Sequence, residues 1–207
     1  MILNGMIVDI VKGDIATIEA DAYVVPQYCN KLCLTGVSAR MVNTDCYAAV
    51  NAYEESVKRY PNPFGYAMPI KTDGEKVDLL IHSVVLGMPK KTEADKKRVF
   101  HNVQLATYAA LVCAEKHKVK HLVMPALCTG STGSMTYFDS GRAIMSALSV
   151  CPTPESVKHI TIAILHSGRA YDLFASGCRK WLHDRPYYID KEYKSMMDYQ
   201  SVMGKEC

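Results

Sequence analysis

The spacing of hydrophobic positions along this chain changes period several times, and each change marks an element. Residues 6–11 (MIVDIV) form a short β-type run closed by Lys12-Gly13-Asp14. Residues 22–25 (AYVV) form a second run, and Pro26, which has no N–H for a sheet ladder, is expected to end it. After a loop containing Gly36, residues 38–59 take a helical spacing, with Met41, Val42, Ala48, Ala49, Tyr53 and Val57 apolar, until Pro61 and Pro63 stop it. Residues 66–70 read as an edge strand, and 77–86 (VDLLIHSVVL) as a strongly apolar one. The helical period is clearest over 92–117, where Val99, Val103, Ala106, Ala110, Leu111 and Ala114 share a face. A strand over 122–127, a helix near 140–148, a strand over 157–165 and an amphipathic helix over 171–182 complete the pattern.

Strands alternating with helices, several of them apolar along their whole length, imply an α/β fold. The central sheet is expected to be mixed, largely parallel, and covered on both faces. The pattern weakens near Asp184, which divides the chain into a domain over 1–183 and a C-terminal extension over 184–207. The extension is polar with tyrosines and methionines at loose helical spacing, and is expected to be partly helical.

Composition narrows the function classes. The chain has 207 residues, 49% of them hydrophobic and 22% charged, as in ordinary soluble globular proteins. A net charge of +3 is weakly basic, and the cluster Lys90, Lys91, Lys96, Lys97 and Arg98 is interrupted by acids, so it reads as a solvated helix face. Bulk charge therefore gives no case for direct DNA or RNA binding. MILNGMIVDI has no basic n-region or long apolar core of a signal peptide, and no apolar run approaches the roughly 18 residues of a membrane span. The eight cysteines include no CxxC pair. A reducing, cytoplasmic setting with no metal site and no membrane partner is the expectation.

In open α/β sheets, ligands bind beyond the carboxyl ends of the strands. Three segments reach that rim: Gly13-Asp14-Ile15, the loop over 27–37, and Thr129-Gly130-Ser131-Thr132-Gly133. Two loops of small residues, each opening toward a helix, can present backbone N–H groups to one diphosphate. Neither carries GxxxxGK[ST] or GxGxxG. Among other polar residues, His82 within its apolar strand reads as a core histidine and Asp139 as a helix cap. Cys128 becomes a nucleophile only if a base adjoins it.

KGDI at 12–15, DAYVV at 21–25, LTGV at 34–37, LLIHSVV at 79–85 and MPALCTGSTG at 124–133 occur in an order that resembles the macro domain. That family's pattern is a GDI turn, a strand, a glycine-rich first loop, an apolar strand containing IH, and a second loop P-A-x-x-T-G-x-x-G. The resemblance implies a three-layer α/β/α fold that binds ADP-ribose or a related NAD-derived nucleotide, with no cofactor. It implies that Asp14 accepts the adenine amino group while the Ile15 backbone holds the ring edge. Gly36 and Val37, and across from them Thr129, Gly130, Ser131, Thr132 and Gly133, would surround the diphosphate. His166, just after the last strand, takes the place of the residue that stacks on adenine.

Catalytic members commonly carry N-A-A-N after the second strand, and this chain has Val25-Pro26-Gln27-Tyr28 there. Asn30 follows two residues late, and with Gln27 it is the candidate to orient a ribose or a water. The first loop keeps only Gly36 of its glycine run, and Thr132 replaces the usual aromatic of the second. These departures favour nucleotide binding over turnover. A hydrolase that removes ADP-ribose from a modified protein or nucleic acid, or an ADP-ribose-1″-phosphate phosphatase, is the alternative. A non-catalytic interaction module using the tyrosine-rich tail is the third reading. The oligomeric state stays open.

Overall fold

A computed structural model describes residues 1–42, 46–72, 77–89, 91–130, 133–165 and 168–184. In chain order its strands are β1 (Ile2–Leu3), β2 (Met6–Lys12), β3 (Ala22–Tyr28), β4 (Ala67–Lys71), β5 (Leu79–Leu86), β6 (His121–Pro125) and β7 (His159–Ile164). The helices are α1 (Val37–Val42), α2 (Tyr47–Arg59), α3 (Glu93–Lys116), α4 (Tyr137–Val150) and α5 (Gly168–Asp184). One seven-stranded sheet runs in the order β1-β2-β7-β6-β3-β5-β4. Its five inner strands are mutually parallel, and β1 and β4 join the edges antiparallel.

The inner strands are apolar on both faces because both faces are covered. Val24 and Ala22 of β3, Ile81 of β5, Met124 of β6 and Ile162 of β7 enter a core with Val103, Ile144 and Phe174 of α3, α4 and α5. Their alternating neighbours Tyr23, Val25, Leu80 and Val123 meet Met41 and Val50 of α1 and α2 on the opposite face. The three-layer α/β/α arrangement follows from that alternation. No helix among the described residues is long and apolar enough to cross a membrane.

Several boundaries differ from the sequence pattern for physical reasons. β3 runs through Pro26 to Tyr28, because its ladder with β6 ends at Tyr23 and leaves an open flank that tolerates a residue without an N–H. The single helix expected over 38–59 is two, α1 and α2, with 43–45 outside the described residues. Helix α4 starts a turn early. Its cap is Thr136, whose hydroxyl accepts the Asp139 N–H at 3.1 Å, so Asp139 sits in the first turn instead of capping it. The edge hairpin β1–β2 turns on Asn4 (φ 48°) and Gly5 (φ 79°), the left-handed pair that suits a two-residue hairpin. The Asn4 amide then donates to the Leu148 and Cys151 carbonyls, tying that edge to the end of α4. Ser131, Thr132, His166 and the tail over 185–207, for which the sequence set expectations, lie outside the described residues.

Candidate functional site

A cavity of about 350 Å³ opens over the carboxyl ends of the parallel strands. Gly13, Asp14 and Ile15 line it beyond β2, Ala163 to Leu165 at β7, Pro125, Ala126, Cys128, Thr129 and Gly130 at β6, Pro26 at β3 and Leu86 at β5. The first loop adds Cys33, Thr35, Gly36, Val37 and Arg40, and α4 adds Tyr137. The strand order makes this a cleft that crosses from β2 to β5, four strand spacings or about 19 Å.

At the β2 end, the Gly13 N–H donates to the Ile164 carbonyl at 3.1 Å and fixes the turn against β7. Asp14 caps the single helical turn over Ile15–Thr17, with Oδ1 accepting the Ala16 N–H at 3.1 Å. Its other oxygen lies 3.4 Å from Nε of Arg40, which is half-exposed. Capping and cleft lining therefore coincide in one carboxylate. Asp14 and Arg40 are the charged side chains that line the cleft among the described residues.

The first loop is held from behind. Gln27 is fully buried, and its Oε1 accepts the Cys33 N–H at 2.7 Å. The amide nitrogen donates to Ser38 Oγ at 3.0 Å and to His82 Nδ1 at 3.2 Å. The Cys33 bond assigns the amide orientation, so Nδ1 of His82 must accept and the ring carries its proton on Nε2. Burial holds this ring neutral and pushes its pKa down to about 3, against a backbone interaction with Ala49 that raises it. His82 also stacks on Tyr53 (4.9 Å between centroids), whose hydroxyl donates to the Tyr28 carbonyl at 2.7 Å. Burial raises the Tyr53 pKa to about 12, so that hydroxyl stays a donor. His82 is a core residue, as its apolar strand suggested, and it works as a strut beneath the loop. At the loop's end Gly36 takes φ 58° and leads into α1, whose first N–H groups have no acceptor within the helix.

The second loop is a tight scaffold. Cys128 takes φ 60°, its thiol donates to the Val85 carbonyl at 3.0 Å, and the Ser134 N–H points at its sulfur at 3.4 Å. Those contacts make it a structural part of the loop, with no adjoining base among the contacts described. Met135 N–H donates to the Cys128 carbonyl, and Gly133 N–H to the Gly130 carbonyl. A Cβ on Gly133 would sit 2.1 Å from the Cys128 oxygen, so only glycine lets the loop close on itself.

Of the residues picked out in the sequence, Asp14, Ile15, Gly36, Val37, Thr129 and Gly130 share the cleft wall. Gly133 lies behind it, packed on Cys128. Gln27 and Asn30 are not brought to the cleft: the Gln27 amide is used up within the loop scaffold, and exposed Asn30 lies off its wall. Arg40, Tyr137 and Leu165 line the cleft without having been singled out. Position offered a signal for two of them: Arg40 follows Gly36-Val37 by one helical turn, and Tyr137 opens the helix that follows the second loop. Among the described residues no group of three or more His, Cys, Asp or Glu side chains is placed to hold a metal. The seven cysteines described are free thiols.

No family model matches the chain. An uncharacterized protein of Saccharolobus solfataricus is 28% identical over 173 residues, which cover 83% of this chain and 92% of that protein. A macrodomain of Oceanobacillus iheyensis, solved with ADP, superposes with a TM-score of 0.75 at 15% identity, covering 89% of this chain and 96% of that one. A point mutant of the same macrodomain, solved with ADPR, gives 0.74 at 16% identity, covering 88% and 97%. A Trypanosoma brucei macrodomain in complex with ADP gives 0.63 at 14% identity, covering 83% and 69%. With the sheet order, the three layers and the cleft in place, the fold of this chain is that of the macrodomain.

Proposed function

We propose that the cleft binds ADP-ribose or a closely related NAD-derived nucleotide. The observation that carries this reading is the single cleft across five parallel strands, with a carboxylate at its β2 end and two small-residue loops facing each other over its middle. Asp14 suits an amino group on a purine base, and its capping bond to Ala16 uses only one of its oxygens. Backbone N–H groups at Gly36 and Val37 and at Thr129 and Gly130 suit a diphosphate, for which directed amides serve in place of lysines. Solved structures of macrodomains with ADP and with ADPR support the ligand class.

Binding is favoured over turnover. Asp14 is the one carboxylate on the described wall and no described histidine lines it, while Gln27 is committed to the loop behind. Isothermal titration of the intact chain with ADP-ribose tests the reading, and Asn30→Ala tests the hydrolase alternative. Release of ADP-ribose from a modified protein, abolished by that substitution, would favour the enzyme.

A further inference from the structure

We propose that Arg40 leaves Asp14 when the nucleotide enters and pairs with its diphosphate, so that binding depends on a side-chain cation as well as on backbone amides. This inference rests on the nucleotide reading above. Arg40 lies on α1, four residues after Gly36 and three after Val37, and its N–H donates to the Gly36 carbonyl at 3.2 Å. Side chains on a helix lean back over the preceding turn, which here is the Gly36–Val37 turn, roughly 5.4 Å along the axis. The same side chain reaches the cleft and brings Nε to 3.4 Å from Oδ2 of Asp14. One guanidinium therefore links the carboxylate at the base end to the loop amides over the middle.

The pair is built to exchange partners. Oδ1 of Asp14 is committed to the Ala16 N–H, so an amino group on a purine has to use Oδ2, the oxygen that faces Arg40. Base and guanidinium compete for that one atom. The contact is long and half of the Arg40 side chain is exposed, and an ion pair of that kind holds its members loosely. A guanidinium turned away from Asp14 needs another anion, and a diphosphate over Gly36 and Val37 lies on its own side of the cleft.

Charge favours the same exchange. Asp14 and Arg40, the charged side chains on the wall among the described residues, cancel each other as a pair. A diphosphate adds negative charge, which oriented amides offset only with partial charges. After the exchange the amino group sits on the carboxylate and the guanidinium on the phosphates, and both side chains keep a partner. Arginine suits that role, because its planar fork matches phosphate oxygens and its charge persists at any working pH.

The test is isothermal titration of the intact chain with ADP-ribose, wild type against Arg40→Gln, in about 50 mM and about 500 mM salt. A shielded charge-assisted hydrogen bond is worth about tenfold or more in affinity, and a half-exposed one less. The expected result is that Arg40→Gln binds at least about fivefold weaker in low salt, and that the gap narrows in high salt as the charge is screened. The substituted residue is half-exposed, and matched melting curves verify that the fold persists. A loss smaller than that, a gain, or a gap that salt leaves unchanged overturns the assignment of Arg40 while leaving nucleotide binding intact. No binding by the wild type in either salt overturns the nucleotide reading itself, and this inference with it.

Discussion

Replacing Gln27 by leucine removes a polar keystone while keeping an apolar side chain of comparable bulk. The structure gives the inventory of what is lost. The Cys33 N–H loses an acceptor at 2.7 Å, Ser38 Oγ a donor at 3.0 Å, and His82 Nδ1 a donor at 3.2 Å, at a residue with no solvent exposure. Each buried group left unpaired costs about 1–3 kcal/mol, with relaxation and the gain of apolar burial returning part of the sum. A net loss of about 3 kcal/mol is expected, or roughly 6–12 °C in Tm for a domain of this size. Urea unfolding at pH 7 followed by far-UV circular dichroism measures it, with an unchanged slope required for the comparison. The companion Asn30→Ala, at an exposed residue, should stay within about 0.5 kcal/mol. A loss below 1 kcal/mol for Gln27→Leu, or equal effects at the two positions, would refute the account of the first loop.

Gly133→Ala places a methyl 2.1 Å from the Cys128 oxygen and should cost about 3 kcal/mol or more, whereas Gly13→Ala meets nothing within 4 Å and should be nearly silent; matched melting curves decide it. Asp14→Ala should weaken nucleotide binding by about 1.5–3 kcal/mol through the lost charged hydrogen bond, and lower stability by about 1 kcal/mol through the lost cap. An unchanged affinity would remove Asp14 from the base end. His82 stays neutral in the folded chain down to about pH 3, while unfolding restores its ordinary value near 6.5. Between those limits the unfolded chain binds the extra proton, so this contribution to stability is intact above pH 6.5 and declines as pH falls, by at most about 1.4 kcal/mol per unit. His82→Gln should flatten the wild-type stability profile between pH 6.5 and 4, and superimposable profiles would contradict a neutral buried ring.

The fold was legible where one period dominated. Residues 77–86 and 122–127 read as strands because β5 and β6 are buried on both faces, and Thr92 caps α3 with Asp95 close to the expected start. Tertiary context decided the rest. Pro26 stays in β3 because only one flank of the strand is paired there, which no local rule reveals. The Asn4-Gly5 turn was a hairpin signal, but β1 is two residues long, too short to show alternation. In the site, the small-residue loops and Asp14 were visible because backbone approach and capping demand particular residues. Gln27 looked like a ligand-facing amide because a sequence does not show which side of a strand end faces a cleft. Arg40 and Tyr137 reach the cleft from helices whose phase relative to the rim is set by packing.

The central claim is that this cleft holds an ADP-containing nucleotide, and titration of the intact chain with ADP-ribose tests it most directly. The account predicts saturable one-to-one binding that Asp14→Ala weakens by tenfold or more. No saturable binding at millimolar ADP-ribose, on protein shown to be folded by a cooperative unfolding transition, would contradict it.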